Sequence, residues 1–133
     1  MINTKQLATI IERSQIEKWA YPYTFKQLQS AGVANYTVEL STPIAFYRNS
    51  NNVIEFQEII SKETLQISKQ FCIEKLEQAI DRHQQLKTNY LELLRELADA
   101  GVTRYKVDMK SRMITYYGSQ LSQNHKESIP VID

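Results

Sequence analysis

Ala31-Gly32-Val33-Ala34-Asn35-Tyr36-Thr37-Val38-Glu39-Leu40 returns later in the chain as Ala100-Gly101-Val102-Thr103-Arg104-Tyr105-Lys106-Val107-Asp108-Met109. Five of the ten positions are identical, and Glu/Asp and Leu/Met are near-equivalents. After a turn the likeness resumes, Ile44-Ala45-Phe46-Tyr47 against Ile114-Thr115-Tyr116-Tyr117. A glycine just past a helix can take the left-handed conformation that lets the chain leave. The alternation that follows is the pattern of a strand with one buried face. Each Ala-Gly-Val thus reads as a helix end that launches a strand. In the first hairpin Tyr36, Val38 and Leu40 face inward, Ser41-Thr42-Pro43 turns the chain, and Ile44 and Phe46 face inward with Tyr47 outward. In the second, Tyr105, Val107 and Met109 face inward, Lys110-Ser111-Arg112 turns, and Ile114 and Tyr116 face inward with Tyr117 outward.

Helices flank both hairpins. Asn3, Thr24 and Asn89 are each followed three residues later by Gln or Glu, the spacing of a reciprocal cap at a helix start. Periodicity predicts helices over Thr4 to about Ser14, over Pro22 or Thr24 to Ala31, over Lys62 to His83, and over Tyr90 to Ala100. Leu65, Phe71, Cys72, Leu76, Ala79, Ile80 and His83 form the apolar stripe of the third. Val53 to Phe56 is a short third strand, Leu121 to Glu127 a polar loop, and Ser128 to Ile132 a closing strand with Pro130 at an edge. The expected fold is a two-layer α+β domain over residues 1–133, an antiparallel β-sheet packed on helices. It is read as two tandem helix-helix-β-hairpin repeats, about residues 3–56 and 62–132, with approximate internal twofold symmetry.

Composition narrows the function. A net charge of +1 gives no global field to hold nucleic acid or an anionic membrane. No apolar run approaches the roughly 20 residues that span a bilayer, and Met1 to Gln6 lacks a signal-peptide layout. The lone Cys72 excludes an internal disulfide and a multi-cysteine zinc site. A reduced, cytoplasmic protein is expected, with no cofactor.

No catalytic or metal-binding motif stands out. The two histidines, His83 and His125, have no paired spacing, and the glycines form no phosphate loop. His83, closing the long helix, suits the negative helix end. It also stands beside Gln84, Thr88 and Tyr90, a candidate ligand-binding connector. Glu39 and Asp108 occupy equivalent outward positions, as solvated or salt-paired carboxylates on an open face. Tyr47 and Tyr117 are the candidate partner-binding aromatics, near Arg48 and Arg104. Arg104 to Arg112 interleaves basic and apolar residues, but Asp99 and Asp108 offset that charge, so nucleic acid ranks third as a partner.

One stretch carries a family likeness. His83-Gln84-Gln85-Leu86-Lys87-Thr88-Asn89-Tyr90, a helix into Ala100-Gly101-Val102, and a strand ending Thr115-Tyr116-Tyr117-Gly118 resembles the YbcV-like family. That group comprises uncharacterised bacterial and phage proteins sometimes labelled phage envelope proteins. Tyr21-Pro22-Tyr23 resembles its weaker upstream copy. Leu86 stands where the family pattern has glycine, and Asn89 where it has Asp. The resemblance implies a fold and no activity. The expectation is a non-enzymatic module that binds a protein, or a second copy of itself, through an exposed sheet face or edge. The alternative is a small-ligand binder or enzyme with a cleft near His83.

Overall fold

Two hairpins lie side by side at the centre of a six-stranded antiparallel sheet in the computed structural model, which describes residues 1–86 and 89–130. The strands are β1 (Asn35–Glu39), β2 (Ile44–Arg48), β3 (Ile54–Ile59), β4 (Arg104–Asp108), β5 (Met113–Tyr117) and β6 (Asn124–Ser128). Their order is β3-β2-β1-β4-β5-β6, so β3 and β6 are the two edges. The central pair, β1 with β4, has Thr37 opposite Lys106, flanked by Asn35 opposite Asp108 and Glu39 opposite Arg104. Two bonds seal it at its ends, Leu40 N–H to Thr103 C=O and Met109 N–H to Ala34 C=O, both 3.0 Å.

The four helices are α1 (Thr4–Ile16), α2 (Tyr21–Ser30), α3 (Ile73–Leu86) and α4 (Tyr90–Asp99). Their apolar sides join the sheet face carrying Tyr36, Val38, Ala45, Tyr47, Tyr105, Val107 and Tyr116 in one buried core. Leu7, Phe25, Leu76, Leu94 and Leu97 have no exposure at all. Burial of each stabilises the fold by roughly 1.5–3 kcal/mol. Asn3 caps α1 by accepting from Gln6 N–H, and Asn89 caps α4 by accepting from Glu92 N–H. Both Ala-Gly-Val stretches end their helices as the sequence predicts. Val33 N–H returns to Leu28 C=O at 3.2 Å and Val102 N–H to Leu97 C=O at 3.0 Å, with Gly32 at φ +97° and Gly101 at φ +89°.

Several backbone bonds recur at the sequence spacing that takes Tyr36 to Tyr105. Asn3 N–H bonds Ala31 C=O at 2.9 Å and Cys72 N–H bonds Ala100 C=O at 2.8 Å. Ala34 N–H bonds Arg48 C=O at 2.9 Å and Thr103 N–H bonds Tyr117 C=O at 2.8 Å. Ile60 N–H bonds Pro43 C=O, and Ile129 N–H bonds Arg112 C=O, both at 2.9 Å.

The structure corrects four expectations. In β2 the buried residues are Ala45 and Tyr47, so Tyr47 faces inward and Ile44 and Phe46 face the other side. Both hairpin turns have the same length, Glu39 pairing Ile44 and Asp108 pairing Met113. Tyr47 therefore corresponds to Tyr116, across from Tyr36 and Tyr105 respectively. Aligning Ile44 with Ile114 inserts one residue, and a one-residue slip turns every side chain to the opposite face. Next, α3 begins at Ile73 instead of Lys62. Residues 60–72 run as a strap pinned by Leu65 N–H to Ser41 C=O and Ser68 N–H to Ala98 C=O, both 2.9 Å. Ser61 and Ser68 accept from Glu63 and Gln70 N–H, local bonds that compete with a helix. The second helix, expected from Pro22 or Thr24 with Thr24 as its cap, starts at Tyr21 with Pro22 in its first turn; Ala20 is the N-cap, so Thr24 lies inside the helix and does not cap it. Finally, the closing strand β6 forms earlier than predicted, at Asn124–Ser128, taking up the end of the predicted loop and only Ser128 of the predicted strand, and Pro130 lies beyond it; Val131 and Ile132 are outside the described residues.

Candidate functional site

Beneath the helices the inner sheet face carries a line of tyrosines. Tyr36 stacks on Tyr47 with ring centroids 5.0 Å apart, and Tyr105 lies 5.6 Å from Tyr116. From the first turns of α2 and α4, Tyr21 and Tyr90 reach down so that their hydroxyls meet those of Tyr36 and Tyr105. The Tyr47 hydroxyl donates to Glu58 Oε1 at 3.3 Å. At the far end His125, 6.4 Å from the Tyr116 ring, bonds Glu127 at 2.9 Å. Burial pushes the phenols of Tyr21, Tyr36, Tyr47, Tyr90, Tyr105 and Tyr116 all upward. They stay protonated at neutral pH, as hydrogen-bond donors and not bases. Burial also raises the Glu58 carboxyl, against hydrogen bonds from Tyr47 and Gln15 that favour its ionised form. Mutually satisfied buried hydroxyls of this kind fix how the helices sit on the sheet.

The opposite face of the sheet presents Arg48, Arg104, Lys106, Tyr117 and Lys126, alongside Glu39 and Asp108. Arg48 donates to Thr37 Oγ1 at 3.0 Å, which accounts for the burial of that threonine. The Arg104 guanidinium lies 4.3 Å over the Tyr117 ring, a cation–π contact. Together they line a recess of about 380 Å³ with Thr103, Gly118 and Leu121.

The two sheet edges differ. On β3, Ile54 is 43% exposed and Ile59 is 67% exposed, both on the open face, and β3 pairs with β2 alone. On β6 the residues are Asn124-His125-Lys126-Glu127-Ser128, none of them apolar. Charged side chains on an edge discourage further strand pairing, whereas exposed isoleucines do not.

The chain matches the family described as Protein of unknown function (DUF1398) over residues 3–128. It belongs to the DUF1398 family. No curated protein matches the chain. Family membership brings a shared fold and no assigned activity, so the candidate site rests on geometry.

Among the residues singled out from sequence, Tyr47 and Tyr90 come together in the DUF1398 chain's inner tyrosine line; Tyr90 lies within electrostatic reach of Tyr36, Tyr47 and Glu58. Tyr117 faces outward as predicted, beneath Arg104. His83 sits in the last turn of α3, half-buried, with its pKa lowered by burial against the opposing pull of Glu96. Gln84 is exposed on the same helix, and Thr88 lies outside the described residues. Cys72 is half-buried immediately before α3, where its C=O accepts from Leu76 N–H at 3.1 Å. Among the described residues no group of three or more His, Cys, Asp or Glu is placed to hold a metal ion, and no helix is long and apolar enough to cross a membrane. Sequence reading missed Tyr21, Tyr36, Tyr105, Tyr116, Glu58 and the β3 edge as features of interest. The signal was present: Tyr21 and Tyr90, Tyr47 and Tyr116, and Glu58 and Glu127 all share the spacing of Tyr36 to Tyr105.

Proposed function

We propose that this protein is a non-enzymatic interaction module that pairs with a second copy of itself through β3. The carrying observation is the contrast between the edges, β6 charged and polar and β3 exposing Ile54 and Ile59. An uncovered edge strand can add another strand by main-chain hydrogen bonding. Antiparallel pairing of two β3 strands places Ile54 and Ile59 of both copies on one continuous open face. The acidic residues of β3 are held back from that seam. Glu55 accepts from Asn49 Nδ2 at 2.5 Å and Ile2 N–H at 3.1 Å, and Glu58 accepts from Tyr47.

The same proposal takes the chain as one domain of two tandem repeats related by an approximate twofold axis. The recurring backbone bonds, and the reciprocal register of β1 with β4 about Thr37 and Lys106, support it. It also takes the protein as a cytoplasmic one of bacterial or phage origin, on the strength of the lone Cys72 and the YbcV-like motif. Single-stranded nucleic acid fits the open face less well, because Arg104 already covers the Tyr117 ring on which a base would stack.

Sedimentation from micromolar to submillimolar protein tests the pairing. A reversible dimer is expected, with slow amide exchange along β3, and changing Ile54 and Ile59 together to Lys weakens it at least about tenfold. A wild-type chain that stays monomeric throughout, or a Lys variant that dimerises equally well, removes the proposal.

A further inference from the structure

We propose that the groove between α1 and α2 is a saccharide-binding site. The groove is open to solvent with a volume of about 460 Å³, within the range of small-molecule sites, and the buried Ile10 is among its lining residues. Trp19 and Tyr23 stand at one end with ring centroids 4.8 Å apart and planes at 86°. Two perpendicular rings make a corner that offers one face for stacking and one edge beside it. Tyr23 is 43% exposed, so its ring is open to a ligand.

The polar inventory decides the ligand class. Gln6 and Gln27 line the groove from the two helices. Among the described residues neither side-chain amide has a hydrogen-bond partner. Each amide presents a donor and an acceptor, as each sugar hydroxyl does, whereas a carboxylate ligand asks for donors alone. Of the two cations at the rim, Arg13 is engaged by Glu17 at 2.9 Å and packs 5.8 Å from the Trp19 ring centroid. A saccharide supplies what this corner lacks, an apolar C–H face for the rings and vicinal hydroxyls for the amides.

A proline-rich peptide is the competing occupant, since such segments dock in aromatic grooves. A proline-rich backbone offers carbonyl acceptors only and takes donors from the groove, an indole N–H among them. Here the Trp19 Nε1–H already donates to Glu17 Oε1 at 3.0 Å. The indole donor is occupied and Arg13 lies over the indole ring, so the exposed Tyr23 ring is the one left for stacking, which favours the sugar.

Trp19 is the chain's single tryptophan, so its fluorescence reports on the groove directly. The probes are tetrasaccharides of glucose and of N-acetylglucosamine, with decaproline as the competitor. At least one tetrasaccharide should change Trp19 emission saturably in the millimolar range and shift the side-chain amide signals of Gln6 and Gln27. Tyr23→Ser should weaken it about tenfold, Gln6→Ala or Gln27→Ala about threefold each, and Tyr23→Phe hardly at all. If Tyr23→Ser fails to fold, the two alanine variants carry the test. Silence toward both sugars, saturation by decaproline instead, or sugar binding untouched by all of these substitutions overturns the proposal.

Discussion

The two halves of the sheet agree on the inside and diverge at the edge. Inside, Tyr21, Tyr36, Tyr47 and Glu58 of the first half have Tyr90, Tyr105, Tyr116 and Glu127 as counterparts in the second, with the same hydroxyl contacts between helix and strand. At the rim, Phe56 has His125 as its counterpart, and the apolar β3 contrasts with the polar β6. Packing explains the agreement: a buried hydroxyl must keep its partner, and a buried ring must keep its volume. Edge residues answer to solvent and to partners and are free to differ. Function that depends on one half is therefore sought where the halves part, at β3 and in the α1–α2 groove.

The sharpest probe of that agreement is glycine replacement at the two helix ends. Both Gly32 and Gly101 have positive φ, so any side chain is strained there. A Cβ at Gly101 would meet Gln70 O at 2.4 Å and Phe71 Cα at 2.7 Å, backbone in mid-chain. At Gly32 it would meet Met1 O at 2.8 Å, at the first residue of the described chain. Gly101→Ala should cost roughly 3 kcal/mol, and Gly32→Ala about 1–2 kcal/mol because its nearest contact, 2.8 Å, is less severe than the 2.4 Å one at Gly101. Urea unfolding of both variants measures this. Equal losses would mean that Met1 is held as firmly as the strap before α3.

Removing one hydroxyl from each half is the next test. Tyr36→Phe leaves the Tyr21 hydroxyl without its partner, and Tyr105→Phe does the same to Tyr90. Each should destabilise by about 1–2 kcal/mol, by the same amount in both halves. Thermal and urea melts decide it. A marked inequality would show that the tyrosine line is not one structural device used on both sides. A gain in stability from either change would point to a hydroxyl kept for function against stability.

How far the sequence revealed this arrangement depended on which force acted on each residue. Local chemistry was largely legible: Asn3 and Asn89 accept the cap bonds expected of them and both Ala-Gly-Val exits formed as the sequence predicts, whereas the cap expected at Thr24 did not. The inward faces of β1 and β4 were legible from alternation. Tyr47 was misplaced because Ile44 and Phe46 read as the more apolar set, and only the register against Tyr36 puts Ala45 and Tyr47 inside. The stretch 62–72 has helical spacing, yet it is drawn out by bonds to Ser41, Ala98 and Ala100, contacts distant in sequence. The tyrosine line was hidden for a related reason. Its members lie far apart in the chain and meet only when α2 and α4 settle on the sheet.

The smallest expected effect separates the two ends of that line. Burial raises the Glu58 carboxyl above its ordinary value near about 4.3. A group shifted in this sense contributes stability in full below its unfolded pKa and loses it as pH rises through the folded one. Wild-type protein should therefore lose a little stability between about pH 4.3 and neutrality from this residue. Glu58→Gln keeps an acceptor for the Tyr47 hydroxyl and removes the titration. The variant should be flatter across that window, and more stable at neutral pH by under about 1 kcal/mol. His83 works in the opposite sense, since burial lowers its pKa: its contribution is present above about pH 6.5 and lost as pH falls. Urea midpoints at several values from pH 4 to pH 8, in both proteins, isolate the Glu58 part because the His83 slope is common to them. If the two curves run parallel, Glu58 is ionised in the fold without cost, and that end of the tyrosine line is open to water.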